Sequence, residues 1–225
     1  MPDIQLTLNG VQVTGRSDQS ILELARDNGI EIPTLCYVEG LPPTGACRVC
    51  VVELEGSRTL VASCHTPISK GMVIQTHSPK VLEARRVIVE LLLADHCGNC
   101  FQCDKANACE LRKVAADLEV GLPRFQLPKR WFQIEDVSPY IERDLAKCIL
   151  CRRCVKACSE IAKKNVLSVS YRGSESKITY GADKPLDTEA CRDCGICIEH
   201  CPTGALAMPR KVGREKKTKP LLVRG

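Results

Sequence analysis

Residues 148–158 read CILCRRCVKAC, and residues 191–202 read CRDCGICIEHCP. Both runs have the spacing C-x2-C-x2-C-x3-C: Cys148, Cys151, Cys154 and Cys158, then Cys191, Cys194, Cys197 and Cys201, with Pro202 closing the second. Three cysteines at this spacing wrap one face of a cubane, and the fourth ligates the other cluster in two-cluster ferredoxins. The expected ligand sets are therefore Cys148, Cys151, Cys154 and Cys201 for one [4Fe-4S] cluster, and Cys158, Cys191, Cys194 and Cys197 for a second. Two departures alter the wrapping and leave the ligand count intact. Ser159 stands where Pro is usual, and the gap from Cys158 to Cys191 is long. Residues 166–171, then RGSES, then residues 177–180 make that gap read as an inserted hairpin.

Towards the N-terminus a different spacing appears: Cys36, Cys47, Cys50 and Cys64, or C-x10-C-x2-C-x13-C. The residues before it read as a small β-grasp module. Ile4, Leu6 and Leu8 alternate, Asn9-Gly10 supplies a type I′ turn, and Val11 and Val13 continue the alternation into a hairpin. A helix follows, opened by a Ser20/Glu23 capping box, with Ile21, Leu22 and Leu24 as its apolar face and Asn28-Gly29 at its end. The loop from Gly40 to Gly45 is rich in Gly and Pro, so its backbone can curl around a small object and point amides at sulfur. That suits a [2Fe-2S] cluster, although the first gap exceeds that of the plant-type pattern. The competing ligand is a structural zinc ion; zinc ribbons usually pair two C-x2-C knuckles, and only one is present here.

Between the two regions, Ser78-Pro79 opens a helix whose Val81, Leu82, Val87, Ile88, Leu91 and Leu92 form an apolar stripe read as core. It ends in DHCGNCFQCDKANACE, residues 95–110, which holds one histidine and four cysteines. A four-ligand site has one candidate too many. His96, Cys100, Cys103 and Cys109 make a mixed set, Cys97, Cys100, Cys103 and Cys109 an all-thiolate set, and counting allows both.

Sixteen cysteines in 225 residues would suit a secreted disulfide scaffold, but the N-terminus MPDIQLTLNGVQV has neither a basic segment nor an apolar signal core. A cytoplasmic location, where clustered thiols serve as metal ligands, is expected. The apolar run VIVELLLA at 87–94 is interrupted by Glu90 and falls far short of a membrane span. The net charge of +5 is local: residues 210–225 hold seven Lys or Arg against one Glu, and the preceding 209 residues hold 25 basic and 26 acidic side chains. This tail has no aromatic residue, so it reads as a solvated or partner-docking extension and not as a nucleic-acid surface. His65, His77 and His200 each lie outside a complete ligand set.

Taken together, the [2Fe-2S] module, the DH-x3-C-x2-C-x5-C segment followed by Glu110-Leu111, and the paired runs with CILCRRC and CIEHCPTGAL resemble a known arrangement. The order closely resembles the accessory electron-transfer region of [FeFe]-hydrogenases. It is similar also to the small diaphorase-side subunit of NAD-reducing hydrogenases and to the N-terminal part of the complex I large iron-sulfur subunit. The resemblance spans residues 1–209. It implies that His96 is a cluster ligand with Cys100, Cys103 and Cys109, leaving Cys97 spare. The expected architecture is α+β: a β-grasp [2Fe-2S] domain over 1–78, a helical segment with a His/Cys3 [4Fe-4S] site over 79–120, a two-[4Fe-4S] ferredoxin domain over 121–209, and the basic tail 210–225.

The expected function is an electron relay holding one [2Fe-2S] and three [4Fe-4S] clusters. No Gly-x-Gly-x-x-Gly turn, Walker loop or nucleophile with its base is evident, so catalysis is expected on other polypeptides. By resemblance, the partners are a flavin-containing NAD(H)-oxidising subunit and a catalytic subunit: a hydrogenase, a formate dehydrogenase or a bifurcating enzyme. The alternative is a free multi-cluster ferredoxin acting as a diffusible shuttle; three modules and a tail give more surface than a shuttle needs. A zinc-binding regulatory protein is a third class, disfavoured by the paired cubane runs.

Overall fold

The computed structural model describes residues 3–127, 139–181, 183 and 189–209; the basic tail lies outside the described residues. The hairpin read from the N-terminus is present as β1 (Asp3–Leu8) and β2 (Val11–Arg16), paired from Asp3 against Arg16 to Leu8 against Val11. Asn9 and Gly10 both take positive φ, 51° and 83°, as a type I′ turn requires. The Asn9 side chain also exchanges two 2.8 Å bonds with Thr76, so the turn fastens the end of a later strand.

Helix α1 (Ile21–Asp27) begins at the reciprocal Ser20/Glu23 box and buries Ile21, Leu22, Leu24 and Ala25. Beneath it lies a five-stranded sheet completed by β3 (Val51–Leu54), β4 (Val61–Ala62) and β5 (Val73–Gln75), in the order β2-β1-β5-β3-β4. The β1–β5 pair is parallel and the others are antiparallel. Leu6, Leu8, Val52 and Ile74 face the helix and complete this core. Gly15 allows the close approach: a Cβ there would lie 2.6 Å from Leu24.

Helix α2 (Pro79–Asp95) starts at Ser78, whose hydroxyl accepts from Val81 N–H. Its buried line differs from the apolar stripe read from sequence. Val81, Arg85 and Val89 are buried at i, i+4 and i+8, while Leu91 is exposed. The reason is geometric: α2 is pressed between β3 and α3 (Glu110–Asp117), so its innermost line follows those neighbours and admits an arginine that hydrophobic periodicity assigns to solvent. Leu35, Val49, Val89, Leu111, Val114 and Ile149 fill the space between the N-terminal sheet, the two helices and the C-terminal module.

In the C-terminal module, β6 (Glu142–Arg143) pairs with β9 (Leu206–Ala207), and two short helices, α4 (Arg153–Lys156) and α5 (Ile196–Glu199), pack together. The inserted hairpin is observed as β7 (Leu167–Ser170) and β8 (Lys177–Tyr180). Buried Arg143 stacks on Tyr180, its guanidinium 4.3 Å from the ring centre, and donates to the Ile178 carbonyl, joining this hairpin to β6. The paired cysteine runs share a backbone signature. Leu150 and Asp193, each preceding the second cysteine, take φ of 54°, and Arg152 and Gly195, each following it, take 63° and 61°. Left-handed backbone at matched positions makes the two runs an internal repeat in conformation as well as spacing.

Replacing Ser20 by Ala removes the bond its hydroxyl accepts from Glu23 N–H and the one it donates to the Glu23 carboxylate, leaves the Ser20 N–H bond to that carboxylate, and should cost α1 about 1 kcal/mol. Amide exchange in α1 of the whole chain should accelerate roughly fivefold; unchanged exchange would show that packing alone holds the helix.

Candidate iron-sulfur sites

All sixteen cysteines are free thiols, and ten of them are buried, so sulfur is a structural part of the interior. Cys36 and Cys47 flank the irregular loop, Cys50 immediately precedes β3 and Cys64 follows β4. Cys50 and Cys64 sulfurs lie 3.4 Å apart, and Leu35 N–H donates to Cys47 sulfur at 3.4 Å. The start of α1 is tied to the same place, since Leu22 N–H donates to the Ser63 carbonyl. These four thiols are crowded enough to share protons. Donation from Cys47 pulls Cys36 down and donation from Cys64 pulls Cys50 down to about 6, while Cys47 and Cys64 are pushed up in turn.

The paired runs surround two cavities. Cys148, Cys151, Cys154 and Cys201 line one cavity of about 380 Å³, with Ile149 and Leu206 among its apolar walls. Cys158, Cys191, Cys194 and Cys197 line a second, of about 310 Å³, walled by Ile141 and Leu167. The fourth cysteine of each run thus stands at the other run's cavity. Backbone amides donate to two of these sulfurs: Leu150 N–H to Cys148 at 3.4 Å and Val166 N–H to Cys158 at 3.2 Å. Burial pushes Cys151 and Cys197 up to about 12 and Cys154 well up, so these thiols ionise at neutral pH only if a cation takes the charge.

A mononuclear ion needs ligands that converge on one point. Among the described residues, no three His, Cys, Asp or Glu side chains do so. Four sulfurs placed around an apolar cavity instead fit a multi-atom cluster with thiolate at its corners.

The middle segment is more open. His96 caps the end of α2, is buried, and accepts from Gly98 N–H at its Nδ1 over 3.0 Å, which orients the ring. Cys100 is exposed, and Cys97, Cys103 and Cys109 are half-buried. Burial raises Cys109, and the charges of Cys103 and Cys100 add to the effect, which marks these three as neighbours. Cys97 is fastened by its backbone, donating N–H to the Ala146 carbonyl at 3.0 Å.

Several residues outside the cysteine pattern join this segment to the first cavity. Glu110 N–H donates to the Pro202 carbonyl at 2.9 Å, and the Glu110 carboxylate accepts from Arg153 at 2.6 Å. Thr203 hydroxyl donates to the Lys147 carbonyl at 2.7 Å. Lys147, nearly buried, pairs with Asp144 at 3.0 Å. Burial opposes its charge, but the bond and charge of Asp144, with Cys103 and Cys97 nearby, outweigh that and hold it above the usual range. Gly204 takes a φ of 79°, and a Cβ there would lie 2.7 Å from Lys105 Cβ and 3.1 Å from Cys103 sulfur. Glu110, Arg153, Pro202, Thr203 and Gly204 had a sequence signal, in the Glu110-Leu111 pair and the CILCRRC and CPTGAL runs, whereas Lys147 and Asp144 are ordinary charged residues whose role comes from position. His65 and His77 are exposed, outside these sites.

Gly204→Ala should push the Cys100–Cys109 loop away and remove about four iron per chain, the content of one cubane. Gly121→Ala, where an added Cβ meets open space, should leave the iron count at the parent value. Equal iron in all three proteins would contradict the close-packing account.

Comparison with known proteins finds iron-sulfur domains along the chain. Residues 2–79 match a 2Fe-2S iron-sulfur cluster binding domain, residues 85–124 the NADH-ubiquinone oxidoreductase-G iron-sulfur binding region, and residues 138–207 the ferredoxin-like domain of NADH-quinone oxidoreductase subunit 3. NADP-reducing hydrogenase subunit HndD of Solidesulfovibrio fructosivorans is 38% identical over 211 residues, covering 92% of this chain and 36% of HndD. The chain spans about a quarter to a third of the first curated relatives it matches. A crystal structure of NAD+-reducing [NiFe]-hydrogenase in the H2-reduced state contains a chain with TM-score 0.78 and 28% identity, covering 96% of this chain and 90% of that one. NAD-reducing hydrogenase HoxS subunit gamma of Cupriavidus necator is 32% identical over 215 residues, 93% of this chain and 88% of the relative. With near-complete coverage in both directions, this protein belongs to the family of iron-sulfur subunits that includes HoxS subunit gamma.

Proposed function

We propose that the chain is an electron relay with four centres: one [2Fe-2S] cluster on Cys36, Cys47, Cys50 and Cys64, and three [4Fe-4S] clusters. The ligand sets of the three are His96, Cys100, Cys103 and Cys109; Cys148, Cys151, Cys154 and Cys201; and Cys158, Cys191, Cys194 and Cys197. The observation that carries this reading is the continuity of the sulfur-lined interior. Cys36, Cys47 and Cys151 share one apolar cluster, with Cys109 packed against it, while Cys154, Cys158, Cys191, Cys197 and Cys201 share the next. Cys151 of the Cys148–Cys201 set belongs to the first of these clusters and Cys154 and Cys201 to the second, which makes that set the junction of the relay.

Bound clusters supply one-electron chemistry. The chain's own residues supply the rest. Apolar walls exclude water, backbone amides donate to the sulfurs of Cys47, Cys148 and Cys158, and the Glu110–Arg153 and Glu110–Pro202 contacts hold neighbouring sites at fixed separation. His96, buried and oriented by Gly98, is the fourth ligand of the middle site, and Cys97 is a bystander anchored through its backbone. The partners are an NAD(H)-linked flavin subunit and a hydrogenase or similar catalytic subunit, a reading supported by the resemblance to a subunit and a chain of NAD-reducing hydrogenases. No helix among the described residues is long and apolar enough to cross a membrane. A reducing cytoplasm fits sixteen free thiols.

Anaerobically purified protein should hold about fourteen iron and fourteen acid-labile sulfide per chain, and a reproducible value near ten would remove one cubane. The isolated chain should accept electrons from dithionite but oxidise no NADH unaided; sustained NADH-dependent dye reduction by pure chain would refute a passive relay. Cys97→Ser should leave every EPR signal intact, whereas His96→Ala should lose the middle cluster or recruit Cys97 with a lower potential. The reverse pattern would assign the site to four thiolates.

A further inference from the structure

Arg85 is a buried cation that the cysteine pattern does not account for. It lies on α2, 1% exposed, on the same line as Val81 and Val89. Its Nη2 donates to the Val51 carbonyl at 2.8 Å, which sets the guanidinium against the residue following Cys50. Nε has no hydrogen-bond partner, and among the described residues no carboxylate forms an ion pair with Arg85. A guanidinium withdrawn from water is strongly unfavourable unless an anion or a full set of acceptors compensates it. One carbonyl is not a full set. Burial lowers Arg85 to about 10, so it remains charged at neutral pH, and the Cys50 thiolate is the group that acts in the opposite direction.

The anion that this arrangement calls for is the cysteine site itself. We propose that Arg85 is the built-in counter-charge of the Cys36/Cys47/Cys50/Cys64 site and raises the reduction potential of the [2Fe-2S] cluster held there. The proposal rests on the [2Fe-2S] assignment above. A two-iron cluster with four thiolates carries a formal charge of about −2 oxidised and about −3 after gaining one electron. A neighbouring fixed cation stabilises the more negative form more, so it favours reduction. The electron comes from dithionite in the test below, and from a flavin-linked donor in the proposed assembly. Arg85 also hydrogen-bonds the backbone beside a ligand, so removing its charge and removing its packing must be separated.

The test is an EPR-monitored redox titration of the anaerobically purified full chain, comparing the parent with Arg85→Met, Arg85→Gln and Arg85→Lys. At the parent's midpoint, the two neutral variants should show at least a tenfold lower reduced-to-oxidised ratio in the two-iron signal, about 59 mV for one electron. Arg85→Lys should stay within about threefold of the parent, and the four-iron signals should not move. Neutral variants that titrate with the parent, or an Arg85→Lys shift as large as theirs, would overturn the proposal. Loss of the two-iron signal in both neutral variants, with retention in Arg85→Lys, would support it as a charge needed to keep the cluster. Loss in all three would show a packing role and overturn it. A parent without any two-iron signal would overturn the cluster assignment and the proposal together, a result distinct from unmoved potentials.

Discussion

Burying a thiol is easy, and burying a thiolate is not. The arrangement of the cysteine sites depends on that constraint. Cys151, Cys154 and Cys197 are held in surroundings that push their ionisation far up, yet they stand in groups of four around cavities walled by Ile and Leu. Such groups become stable as ligands once iron neutralises the charge that the interior will not tolerate. A chain with only 4% aromatic residues thereby places inorganic clusters where larger domains place Phe and Trp.

The joints between modules follow the same logic. Apolar packing of Leu35, Val49, Val89, Leu111 and Ile149 is shared by all three regions, so each module buries part of its neighbour's site. Directional contacts then set the spacing. Glu110, next to Cys109, meets both Arg153, next to Cys154, and the Pro202 carbonyl, next to Cys201. Gly204 brings the backbone against Cys103 and Lys105, where a methyl group has no room. A relay needs fixed distances between centres, and the proposed one would draw them from these short contacts made beside the cysteines.

Much of this was legible in the sequence because its signals are local. Asn9-Gly10 specifies a turn by backbone sterics, Ser20 and Glu23 specify a helix start by mutual hydrogen bonds, and the repeated C-x2-C-x2-C-x3-C runs specify exchange of their fourth cysteines. What stayed illegible depends on packing between distant segments. Hydrophobic periodicity assigned Leu91 to the core and passed over Arg85, because the direction from which β3 and α3 press on α2 is set by tertiary structure. Lys147 and Asp144 look like surface residues until the Cys97–Cys103 loop is folded against them. Counting left His96 and Cys97 open, and the surroundings of the two were equally invisible in sequence: the structure buries the His96 ring against Gly98 N–H and fastens the Cys97 backbone to Ala146.

The central claim is that four separate one-electron centres share one continuous interior. Coulometric reduction of the isolated, fully loaded chain tests it most directly. The account predicts uptake of about four electrons per chain, one for each centre, with all four passing through the same mediator-equilibrated titration. Uptake of two or fewer electrons by chain carrying its full iron and sulfide would contradict it.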